Sequence, residues 1–125
     1  AGSGGGGGGG GCLEVQPLRW GEDPAALLGF AGGGAFDVVV AADVLYHEEH
    51  FADLCATVRA ASGPRTRVVV CCEQRRRDLR GFVTLLPAAG LELRAARTLE
   101  VPRRDDPAHV TAFRFFDIAV AATAS

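Results

Sequence analysis

Lysine and methionine are both absent from this 125-residue chain, and all thirteen basic residues are arginine. Without methionine the sequence does not begin at a start codon, and we read it as a fragment or an incomplete gene product. The missing lysine, beside so much Ala and Gly, points to GC-rich coding and to no function. There is no long apolar segment and no leader with a basic start and an apolar centre, so nothing suggests a membrane span or secretion. The expectation is a cytoplasmic or nuclear monomer. The formal net charge of −2 leaves no strongly basic balance for a dedicated nucleic-acid or membrane surface. Four cysteines occur, Cys12, Cys55, Cys71 and Cys72, with no Cys-x-x-Cys spacing, which argues against a zinc site. Adjacent Cys71 and Cys72 lie in an apolar run and would point to opposite faces of a strand, which suits reduced thiols. Tryptophan and tyrosine occur once each, as Trp20 and Tyr46.

What is present divides the chain into three. Residues 1–11 are nearly pure glycine and are read as a disordered tail. A phosphate-cradling glycine loop needs a strand before it and a helix after it, and neither flanks this stretch. Residues 12–120 form the domain, and 121–125 a C-terminal tail. Within the domain, Leu13–Leu18 alternates apolar and polar residues and reads as a short edge strand, limited by Pro17. Asp23-Pro24 marks a helix start over Ala25–Leu28, ended by the Gly32–Gly34 run.

The organising stretch is Phe36–Tyr46, FDVVVAADVLY. Its continuous apolar run, rich in β-branched residues, predicts a strand buried on both faces of a parallel sheet. Ligands in such sheets sit outside the carboxyl ends of the strands, where Asp43 and Tyr46 fall. Asp43 would equally serve as a helix cap, and Tyr46 as a packing residue. A helix over Glu48–Ala61 carries Phe51, Leu54, Cys55 and Val58 on one stripe and stops at Gly63-Pro64. Thr66–Cys72 is the next buried strand. Gln74–Ala88 carries the stripe Leu79, Phe82, Val83 and Leu86, with Arg75, Arg76, Arg77 and Arg80 on the other face. That basic run reads as a solvated helix face, with a contact to acidic groups on a substrate as the alternative. Leu91–Leu99 and His109–Val120 are strands joined by the charged loop Val101–Ala108. That loop is too short for a crossover, so the two strands should pair antiparallel. His47 and His50 beside Glu48 and Glu49 mimic a metal face but have no third ligand cluster, so a surface helix start is expected. His109 has nothing to pair with it in sequence.

The order strand, helix, strand, helix, strand, helix, strand, strand is α/β with a closing antiparallel hairpin. With these residues in place it resembles the C-terminal half of a Rossmann-like, seven-strand, S-adenosylmethionine-dependent methyltransferase sheet. More narrowly, it is similar to the methyltransferase-like protein-lysine methyltransferases. Val15–Gly21 resembles that family's V-x-x-L-x-W-G, and Phe36–Tyr46 its F-D-(hydrophobic)₃-x-A-D-x-x-Y. Glu48-Glu49-His50-Phe51 and Asp53-Leu54 resemble its E-E-x-F-x-D-L. The resemblance implies S-adenosylmethionine as cofactor, with Trp20 and Ala42 touching it. It implies catalytic roles for Asp43 and Tyr46 near the target lysine of a protein substrate of the chaperone, ATPase or translation-factor class. The family's glycine-rich cofactor loop and the acid ending its second strand have no counterpart in these residues. The 125 residues alone are therefore expected to be inactive and to bind the cofactor weakly. Two other readings stay open: a non-catalytic fragment or interaction module, and a small-molecule methyltransferase, since the sheet does not fix the substrate. Without the flanking motif, Trp20 would read as a core tryptophan.

Overall fold

The computed structural model describes residues 2–3, 11–13, 15, 17–21, 35–42, 47–74 and 79–122. The helix expected over Ala25–Leu28, the residues Asp43 and Tyr46, and Arg75–Arg77 lie outside the described residues. Two short strands, β1 (Gly2–Ser3) and β2 (Cys12–Leu13), pair antiparallel. Of the strand expected over Leu13–Leu18, only Leu13 is paired among the described residues. Val15, Pro17 and Leu18 are irregular and exposed. Pro17 has no N–H for a ladder, and the apolar side chains of the stretch find no core to cover them.

The body of the fold is β3 (Phe36–Ala42), α1 (Phe51–Ala61), β4 (Ser62–Glu73), α2 (Leu79–Leu85), β5 (Leu91–Pro102) and β6 (Val110–Val120). A single 3-10 turn, Glu48–His50, leads into α1, so the α-helix begins three residues later than expected. All three turn residues are exposed, as a surface helix start requires. The α1 stripe is buried as its spacing predicts: Phe51, Leu54, Cys55 and Val58. Helix α1 ends at Ala61 because Ser62 turns extended, and its hydroxyl donates to the Val58 carbonyl at 2.6 Å. Gly63 and Pro64, expected to stop the helix, already belong to β4.

The four larger strands form one mixed sheet in the order β3-β4-β6-β5. Strands β3 and β4 are parallel, with Val38 beside Arg67 and Ala42 beside Cys71. Strand β6 runs antiparallel to both β4 and β5. This is the expected α/β arrangement with its antiparallel closure, and it is compatible with the C-terminal half of a seven-strand Rossmann-like sheet. Helices α1 and α2 share one face. Their Phe51, Leu54 and Phe82, with Leu86 just past α2, pack with Val68, Val70, Phe116 and Ile118 of the sheet in the buried core. Phe82 sits at its centre, 6.0 Å from Phe51 and 5.9 Å from Phe116 between ring centroids. Gly90 closes the turn after Pro87–Ala89 with φ 79°, a conformation in which any Cβ is strained.

Strand β3 departs from the reading of a strand buried on both faces. Val39 and Ala41 are half-buried against the core, but Val38 is 56% and Val40 70% exposed. It is an edge strand, and among the described residues nothing covers its second face. On that face the Asp117 carboxylate lies 3.4 Å from Arg67 and 3.9 Å from Arg97.

Candidate functional site

A groove of about 510 Å³ runs along β3 between its exposed edge and α1. Phe36 and Val38 to Ala42 form its length, Leu54, Thr57, Val58 and Ala61 its helical wall, and Leu18 and Trp20 its remaining side. Trp20 and Ala42, far apart in sequence and both singled out above, therefore line one groove. Trp20 is half-buried and packs against the core, so it serves as core residue and groove wall together. Ala42 ends the described part of β3, is exposed, and is followed in the chain by Asp43.

Local chemistry explains the Trp-Gly pair. The Gly21 N–H donates to the Thr57 hydroxyl at 2.8 Å, which ties the loop carrying Trp20 to α1. Gly21 has φ 87°, and a Cβ there would lie 2.9 Å from the Asp53 carboxyl carbon. The positive φ favours glycine at this position, and a Cβ there would also displace the Asp53 side chain. Thr57 was not legible as a site residue. Its only sequence signal is a polar residue beside the apolar stripe of α1.

The described lining is apolar apart from the Trp20 indole N–H and Thr57, whose hydroxyl already accepts from Gly21, and it contains no carboxylate. These residues fit the flat, weakly polar face of an adenine. Among the described residues the groove's lining holds no acidic side chain to pair with ribose hydroxyls and no basic side chain to pair with a carboxylate.

A second cleft, about 650 Å³, opens at the carboxyl end of β4. Glu73, Gln74 and the start of β6 line it with Arg103 and His109. The structure corrects the reading of His109 as unpaired. Its Nδ1 lies 2.5 Å from the Asp106 carboxylate, three residues back. Arg103 bridges Asp105 through Nε at 3.2 Å and Nη2 at 2.9 Å. The charged loop thus neutralises itself through near neighbours. His47 and His50 meet edge to face, 6.0 Å apart, and no cluster of three metal-ligating side chains occurs among the described residues.

Cys55, Cys71 and Cys72 form no disulfide, and burial pushes the Cys55 thiol up to about 11. The thiol form is therefore favoured at neutral pH. None of the described helices is long and apolar enough to cross a membrane.

The family model for lysine methyltransferases matches residues 10–89 of this chain. Among solved structures, the M1.HpyAVI complex with S-adenosylmethionine superposes with a TM-score of 0.51 at 13% identity, over 83% of this chain and 56% of that one. A 16S rRNA (adenine(1408)-N(1))-methyltransferase from Catenulisporales acidiphilia gives 0.49 at 13% identity, over 71% and 52%. The mitomycin 7-O-methyltransferase MmcR gives 0.48 at 16%, over 78% and 38%. The chain therefore spans about half, or less, of the length of these structures. At such identity the first likeness is one of fold.

Proposed function

The chain belongs to the lysine methyltransferase family, and we propose that it is the acceptor-side half of a protein-lysine N-methyltransferase. The observation that carries this reading is the meeting of Trp20 and Ala42 in one groove beside β3. The cofactor is S-adenosylmethionine, which when bound supplies an electrophilic methyl group on a sulfonium. Trp20 covers the adenine and excludes water from it. The small side chain of Ala42 permits close approach at the end of β3.

The remaining work falls on the acceptor. A free lysine holds its proton up to a pKa of about 10.4 and must shed it before it attacks. A partly desolvated site lowers that pKa, and orientation supplies most of the rest, with nitrogen and carbon about 3–3.5 Å apart in line. Asp43, next after Ala42, receives the arriving ammonium and fixes the direction of Nζ. To Tyr46, three residues further on, we assign the role of an aromatic face toward the cation. The partner is a protein bearing the target lysine, of the chaperone, ATPase or translation-factor class, met in the cytoplasm or nucleus.

The test is methyl transfer from labelled S-adenosylmethionine by the enzyme with its complete cofactor site. After acid hydrolysis of the protein fraction, the label should be recovered as methyl-lysine. Label recovered only in small molecules or RNA, or no transfer at all, would overturn the reading.

A further inference from the structure

Helix α2 and the β5–β6 hairpin leave a groove of about 460 Å³ on the helical side of the sheet. Its floor is apolar: Leu79 and Val83 from α2, Leu93 from β5, Phe116 from β6. Two guanidinium groups, Arg80 and Arg114, stand in its lining, and among the described residues no Asp or Glu does. Arg114 is held in place. Its Nη1 donates to the Thr98 hydroxyl at 2.8 Å, and its guanidinium carbon lies 6.0 Å from the centre of the Phe116 ring. A guanidinium fixed in this way presents its remaining donors without first losing much side-chain freedom. Gln74 lines both this groove and the cleft at the carboxyl end of β4, so the two depressions adjoin.

An apolar floor under two cations is complementary to a ligand with the opposite signature: carboxylates flanking a bulky apolar side chain. A membrane would need a broad basic surface, and the chain's net charge of −2 does not supply one. We propose that this groove docks an acidic, leucine-like segment of the protein substrate, holding it beside the site of methyl transfer. The proposal rests on the lysine reading and names a recognition element for it. Arg80 and Arg114 pair with the carboxylates of the segment, and an apolar side chain seats on Leu93 and Val83. Docking of this kind lowers KM for a large substrate and leaves the chemical step unchanged.

The experiment is fluorescence anisotropy of the full chain with a short labelled peptide of alternating Glu and Leu, beside the same peptide with Gln for Glu. The acidic peptide should bind at least about tenfold more tightly, a difference near 1.4 kcal/mol. Arg80→Glu should remove that preference, Arg80→Lys should keep part of it, and the thermal melting point should stay unchanged, since Arg80 is exposed. Equal binding of the two peptides, or undiminished preference in a folded Arg80→Glu variant, would overturn the docking. So would phosphatidylglycerol vesicles that bind the chain and displace the peptide. Because anisotropy involves no methyl transfer, failure of the lysine reading is a separate result, seen as absence of methyl-lysine.

Discussion

Thr66 governs how the two parallel strands begin to pair. It is buried, its hydroxyl accepts the Gly63 N–H at 2.8 Å, and it donates to the Phe36 carbonyl. The pairing passes from Phe36 beside Ser62 to Val38 beside Arg67, so β4 spends five residues where β3 spends two. The surplus loop would leave backbone groups unpaired, and the Thr66 hydroxyl satisfies two of them. Thr66→Val keeps the shape and removes both bonds. We expect it to cost about 1–3 kcal/mol, with Thr66→Ser milder. Urea unfolding should show a lower midpoint at unchanged slope. A midpoint equal to that of the unaltered chain would mean that water replaces the hydroxyl. Nothing in the sequence marked Thr66 for this task. It reads as the first residue of a strand, and its partner lies thirty residues away.

Element by element, the periodic signals carried furthest. The α1 stripe and the run Thr66–Cys72 are where the spacing puts them, because each is a local pattern read against one large core. Leu79, Phe82, Val83 and Leu86 likewise face the core, although the described helix is only Leu79–Leu85 and Pro87 opens a separate 3-10 turn. A proline at that point has no N–H to continue the α-helical bonding. The hairpin was legible as antiparallel, but β5 reaches further than the composition implied, to Pro102, with β6 taking up the pairing from Val110. A register shift falls between Leu93 and Ala95, and no residue signalled that bulge; most of β5, an edge strand, is exposed. The insertion of β6 between β4 and β5 is set by long-range pairing and left no local trace. For β3, Val38 to Ala42 told that a strand forms but not whether both faces are covered. That depends on what lies against it, and an apolar run is the same in either case.

At the scale of the molecule, two helices cover one sheet face, and the groove lined by Trp20 and Ala42 lies along the uncovered edge of β3. Of the residues the sequence assigned to the site, Trp20 and Ala42 share that groove, while Asp43 and Tyr46 follow β3 in the chain outside the described residues. Because the described lining is mostly apolar and carries no charged side chain, the 125 residues should hold S-adenosylmethionine weakly. Calorimetric titration should show no binding at micromolar cofactor, and micromolar affinity would mean that this one wall is sufficient. In the proposed function transfer turns on Asp43, and this is best probed in the enzyme with its complete cofactor site by Asp43→Asn. Asn caps a helix about as well as Asp, so a purely structural Asp43 would tolerate the exchange. A carboxylate that receives the lysine ammonium would not. Methyl incorporation into a lysine-bearing protein, measured beside thermal melting, should fall at least about tenfold, near 1.4 kcal/mol of transition-state stabilisation, with melting unchanged. Near-normal turnover in a well-folded Asp43→Asn enzyme would contradict a role for the Asp43 carboxylate in receiving the lysine.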